Sequence, residues 1–109
     1  MTTATTCLVF TTVPDEALAE TLASQLIEMR LAACVKALPA SNATYRWKGQ
    51  IERATEIPLI IVTTRGRYDA LEQHLKATHP YDVPEILTVD SHNGLPDYLR
   101  WVAEATDAL

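Results

Sequence analysis

A chain of 109 residues is the length of one domain, and with 48% hydrophobic and 21% charged residues it carries enough apolar content to bury a core. Nine basic residues against 14 acidic ones give a formal net charge of −5 without any basic run, a balance that repels a phosphate backbone and argues against nucleic acid as a partner. No cationic segment follows Met1, and the apolar stretch Leu59–Val62 is halted by Thr63, Thr64 and Arg65, so no membrane partner is expected and the chain is assigned to the cytoplasm.

Along the chain, Thr6–Val13 is apolar and β-branched on both alternating faces, the pattern of a central strand covered on both sides. Pro14, Asp15 and Glu16 then place a proline and two carboxylates where a helix begins. Leu18, Leu22, Leu26 and Met29 recur at helical spacing and predict a helix to about Leu31. Ala32–Val35 and Thr44–Trp47 read as one irregular strand interrupted near Pro39. Lys48-Gly49 supplies a turn, with Gly49 accepting positive φ, and the return strand starts near Ile51 and runs through Val62. Pro58 within it signals a bulge or an unpaired edge.

Tyr68, Leu71 and Leu75 form a second helical stripe that must end before Pro80, leaving His79 at the helix exit. Pro84–Asp90 reads as another strand, Asn93-Gly94 as a turn, and Pro96 as the first turn of a third helix with Tyr98, Trp101, Val102 and Ala105 facing inward. The order βαββαβ with an extra C-terminal helix predicts an α+β fold: a single domain over residues 1–109 in the split βαβ, ferredoxin-like arrangement. Cys7 and Cys34 fall on strands that are not neighbours and are read as reduced thiols among small and apolar residues.

Signatures of catalysis are absent: no phosphate-cradling glycine loop, no nucleophile elbow, no Cys-x-x-Cys and no His-Glu-x-x-His. Cys34 lacks an activating partner in sequence, so the chain is read as a binding protein and not as an enzyme. The densest polar cluster is His79-Pro80-Tyr81-Asp82-Val83-Pro84-Glu85. It suits a metal site with the His79 imidazole as ligand and Asp82 and Glu85 as helpers, or, more plainly, a stiffened crossing from helix to strand with solvated carboxylates. Tyr45 and Trp47 beside Arg46 and Lys48 suit a stacking platform for a ligand or an interface, where aromatics are enriched.

Taken together, several ordered segments resemble the CutA divalent-cation-tolerance family over nearly the whole chain: Thr12–Glu16, Leu31–Val35, Tyr45–Gly49, Glu56, Thr63-Thr64, His79–Glu85 and Tyr98–Trp101. The resemblance implies a ferredoxin-like protomer assembled as a tight homotrimer, in which long hairpins extend the sheets of neighbouring subunits. It also implies a role in tolerance of divalent cations, with copper or another divalent ion as cofactor and none needed for folding. Thr11 and Thr78 stand where some relatives have a cysteine and a histidine proposed as ligands, and Val62 where many have a lysine near the cleft, so only His79 carries over. A second reading is a signalling trimer analogous to the nitrogen-regulatory PII proteins, binding a nucleotide in a cleft around Tyr45, Trp47, Tyr81 and Glu85. A third is an anchoring trimer whose working surface contacts another protein.

Overall fold

In the computed structural model, which describes residues 4–107, Thr6–Val13 forms strand β1, followed by helix α1 (Glu16–Glu28), strands β2 (Cys34–Ala37), β3 (Ser41–Trp47) and β4 (Gln50–Thr64), helix α2 (Arg65–Thr78), strand β5 (Ile86–Asp90) and helix α3 (Pro96–Ala105). All strand pairs are antiparallel, in the order β2-β4-β1-β5 with β3 alongside β4. The two long apolar strands therefore occupy the middle, as their two-faced hydrophobicity demands. β1 pairs with β4 from Thr6↔Thr64 to Val13↔Ile57.

The irregular strand of the sequence is two strands on one edge of β4. β2 pairs from Cys34↔Val62 to Ala37↔Leu59, and β3 resumes at Ser41↔Glu56. The intervening Leu38–Ala40 lies opposite Pro58, whose carbonyl accepts from the Leu38 amide at 2.9 Å. Pro58 has no N–H to give back, so the ladder breaks in the partner strand, while β4 continues without interruption. The register shifts by one residue there, three residues of the partner edge facing Ile57 and Pro58, so the irregularity that Pro58 signals lies on this edge, while β1 pairs with its other side at Thr12↔Pro58.

β1 reaches only as far as Ile57, so the β3–β4 hairpin from Ser41 to Glu56 projects beyond the four-stranded body and stretches the molecule to 50 × 26 × 23 Å. Its tip is a two-residue turn with Lys48 at φ 50° and Gly49 at φ 78°. Positive φ at both positions is the geometry that matches strand twist.

Asp15 caps α1 by accepting the Leu18 amide at 2.8 Å. The helix stops at Glu28, earlier than the periodicity suggests. Arg30 adopts φ 58° while the Leu31 amide reaches back to the Leu26 carbonyl at 2.9 Å and Arg30 to Ile27 at 3.1 Å. That is a Schellman closure with arginine where glycine is usual, so no residue type announced it. The leucines Leu22, Leu26, Leu71 and Leu75 of α1 and α2 pack on Val9, Val13, Leu59 and Ile61 from one sheet face.

On the opposite face α3 covers less. Val102 is buried against Val62 and Ala33, with Cys34 only half-buried beside them. Tyr98 and Trp101, expected to face inward, are exposed and pack on each other with ring centroids 5.7 Å apart. The inward positions are Val102 and Thr106, whose hydroxyl meets that of Thr64 at 3.4 Å.

Among the described residues two buried hydroxyls, those of Thr6 and Thr11, have no hydrogen-bond partner, and Thr11 is the more deeply buried. An unmet buried hydroxyl costs about 1–3 kcal/mol. Thr11→Val, which keeps the shape and discards the hydroxyl, is expected to raise unfolding stability by about 1 kcal/mol in a denaturant titration; a loss of stability would mean that the hydroxyl has a partner.

Candidate functional site

Alternation on the projecting hairpin sets one face of a cleft. Ala43, Tyr45 and Trp47 share a side of β3, and the pairings Ala43↔Ala54 and Ser41↔Glu56 bring Ala54 and Glu56 to the same side of β4. Two alanines facing each other leave a low floor, bounded by Tyr45 and Trp47 towards the tip and Glu56 towards the body. The opposite wall is the 81–85 segment, with Tyr81, Asp82, Val83, Pro84 and Glu85 enclosing a cleft of about 660 Å³.

His79 holds that wall. α2 ends with the Thr78 hydroxyl bonded back to the His74 carbonyl at 2.8 Å, and Pro80 prevents the helix from continuing. The His79 ring, 8% exposed, lies 2.7 Å through Nε2 from the Thr12 carbonyl, while Nδ1 accepts the Tyr81 amide at 3.2 Å. A carbonyl only accepts, so Nε2 carries the proton and Nδ1 presents its lone pair to the Tyr81 amide. Both nitrogens are engaged by backbone groups in this conformation. The ring instead ties the loop to the end of β1 and supports Tyr81, with centroids 4.7 Å apart.

At the inner end of the cleft sits Glu56, a carboxylate only 7% exposed. Register explains its place: Thr12↔Pro58 and Val13↔Ile57 bring the end of β1 up beside it, and the Thr12 hydroxyl donates to Glu56 Oε2 at 3.1 Å. Burial, and then the neighbouring Glu56 carboxylate as hydrogen-bond acceptor and negative charge, push the Tyr81 phenol up to about 12. Among the described residues no lysine or arginine pairs with Glu56, since the ion pairs there are Arg65–Asp90 and Arg100–Asp97. The charged groups lining the cleft are Glu56, Asp82 and Glu85, all acidic. Lys48 stands outside that lining with its ammonium 5.7 Å from the centroid of the Trp47 ring.

The structure thus brings Tyr45, Trp47, Tyr81, Asp82 and Glu85 to one cleft, and sets His79 behind its wall. Val62, read as a position of that cleft, lies instead in the small core under α3. Glu56 and Thr12 stand among the segments that carry the family resemblance but are given no role in the site from sequence alone. The available signal was an acid set directly before the apolar run Ile57–Val62, whose burial follows only once β1 is laid alongside it. A smaller hollow of about 330 Å³ lies between Cys7, Tyr68, Asp69 and Thr88, where Arg65 is already paired with Asp90. Desolvation pushes the Cys7 thiol up, which leaves it protonated and unreactive.

An antiparallel α+β sheet with three helices and a projecting hairpin that walls an acidic cleft defines the class of protein. Residues 7–105 match the family model described as CutA1 divalent ion tolerance protein, and the chain belongs to that family. It is 42% identical over 95 residues to the divalent-cation tolerance protein CutA of Pectobacterium atrosepticum, covering 87% of this chain and 86% of that one. The protein of the same name from Thermus thermophilus is 41% identical over 99 residues, covering 91% and 96%. The crystal structure of CutA1 from Oryza sativa superposes with a TM-score of 0.93 at 37% identity, covering 98% of each chain.

Because Glu56 is the largest cause after burial of the raised Tyr81 phenol, Glu56→Gln is expected to lower the Tyr81 pKa from about 12 towards the ordinary 10.0. NMR of ring-labelled tyrosine across an alkaline titration reads this directly. An unchanged value would place the Glu56 carboxylate away from the phenol.

Proposed function

We propose that this protein serves divalent-cation tolerance as a cytoplasmic homotrimer of single-domain, ferredoxin-like protomers, and that it binds its cation in the acidic cleft instead of catalysing a reaction. The observation that carries the reading is Glu56. It is a carboxylate withdrawn from water, with the hydroxyls of Thr12 and Tyr81 beside it and no lysine or arginine paired with it among the described residues, so its remaining oxygen lone pairs are open to a bound cation. Copper or another divalent ion is the cation that the family membership favours.

Among the described residues no three His, Cys, Asp or Glu side chains stand close enough to hold an ion. On this reading a neighbouring subunit completes the coordination, with Asp82 and Glu85 at the cleft mouth and His79 as the support of the wall. Exposed apolar groups favour assembly: Leu87 is 61% and Val89 51% exposed on edge strand β5, on the sheet face that α3 partly covers, and Ile51 is exposed on the hairpin. The number three rests on the family resemblance. The two free cysteines accord with a reducing compartment. The nucleotide form of the small-ligand reading loses ground, because three carboxylates would face its phosphates.

Native mass spectrometry during titration with copper and with manganese tests assembly and uptake together. The expected result is a trimer that takes up a fixed number of ions per protomer, with Glu56→Gln weakening uptake far more than His79→Gln. A monomer, or uptake indifferent to Glu56→Gln, would contradict the reading.

A further inference from the structure

The shape of the cleft narrows the chemistry of what it holds, granted the reading above that the cleft is a ligand site. A divalent ion, held by oxygen or nitrogen ligands at about 2.0–2.6 Å, would fill only part of the space there. This cleft offers about 660 Å³, the size range of small-molecule sites, and its walls are largely apolar: Ala43, Ala54, Val83 and Pro84 alternate with the rings of Tyr45, Trp47 and Tyr81. Negative charge is confined to the inner end at Glu56 and the mouth at Asp82 and Glu85.

We propose that the cleft binds a small organic cation, a protonated primary amine on an apolar or aromatic body, with its ammonium at Glu56 and its body along Tyr45 and Tyr81. Glu56 receives the Thr12 hydroxyl on Oε2, and a carboxylate has about four lone-pair sites, so it retains acceptors for N–H donors. An ammonium with three donors satisfies them, whereas a quaternary ammonium offers no hydrogen bond. The aromatic faces add attraction for the cation and stacking area for its body. The small floor at Ala43 and Ala54 leaves room for the body: a larger side chain at either position would fill it.

The test is calorimetric titration of the full-length protein with phenethylammonium and, separately, with tetramethylammonium and manganese. Saturable phenethylammonium binding is expected, about tenfold to a hundredfold weaker in Glu56→Gln and markedly weaker in Ala54→Leu, with tetramethylammonium binding more weakly throughout. The thermal midpoint of each variant is measured first, and a variant that does not fold is replaced by Tyr45→Ala, which removes a wall at the exposed hairpin. Phenethylammonium binding indifferent to Glu56→Gln, or none at all, overturns the inference. If manganese alone binds in a Glu56-dependent manner, the cleft stands as a site and the organic cation falls; if neither ligand depends on Glu56, both readings fall.

Discussion

The antiparallel pairing of β1 with β4 is the constraint on which the rest of the molecule depends. Eight consecutive residue pairs, buried on both faces over most of their length, fix the register of the two central strands. A slip of one residue would turn Val9, Val13, Leu59 and Ile61 away from α1 and α2, so the core permits one alignment. That alignment determines where β1 ends against β4. Because it ends at Ile57, the remaining β4 residues have only β3 for a partner and become a projecting hairpin, and because Thr12 falls beside Glu56, a carboxylate is closed off at the hairpin base.

The site is assembled from this frame by three local devices. Proline at position 58 breaks the partner edge, which separates β2 from β3 and lets the hairpin begin at Ser41. Pro80 ends α2, and the neutral His79 ring, bonded to Thr12 at one nitrogen and to Tyr81 at the other, joins the loop to the tip of β1. Removing either bond would leave a buried polar group unmet and free the wall that carries Tyr81. His79 thus contributes through the geometry it imposes, and the chemistry of the cleft resides in Glu56 and the three aromatic rings.

Much of the fold is legible in the residues. The two-faced apolar character of Thr6–Val13 and Leu59–Val62 places both in the middle of the sheet, and the prolines at 14, 80 and 96 mark helix limits within a residue or two. The end of α1 is not legible, because Arg30 takes a left-handed conformation that glycine usually advertises. The outward turn of Tyr98 and Trp101 is hidden as well: an apolar helix stripe shows that a face will be covered, without showing whether the cover is this chain or another. The aromatic and acidic residues of the cleft could be grouped from the sequence, since they recur on a hairpin and a proline-stiffened loop. Glu56 could not, because its burial arises from a contact 44 residues away along the chain.

The account stands or falls on Glu56 as a buried group that takes up a cation. Carbon-detected NMR of the side-chain carboxyls, followed as a cation is titrated into the intact protein, observes that group without altering it. The account predicts that the Glu56 resonance moves saturably and ahead of those of the exposed aspartates and glutamates, with the Tyr81 phenol carbon moving in step. A Glu56 resonance that stays still while cations bind elsewhere would contradict it.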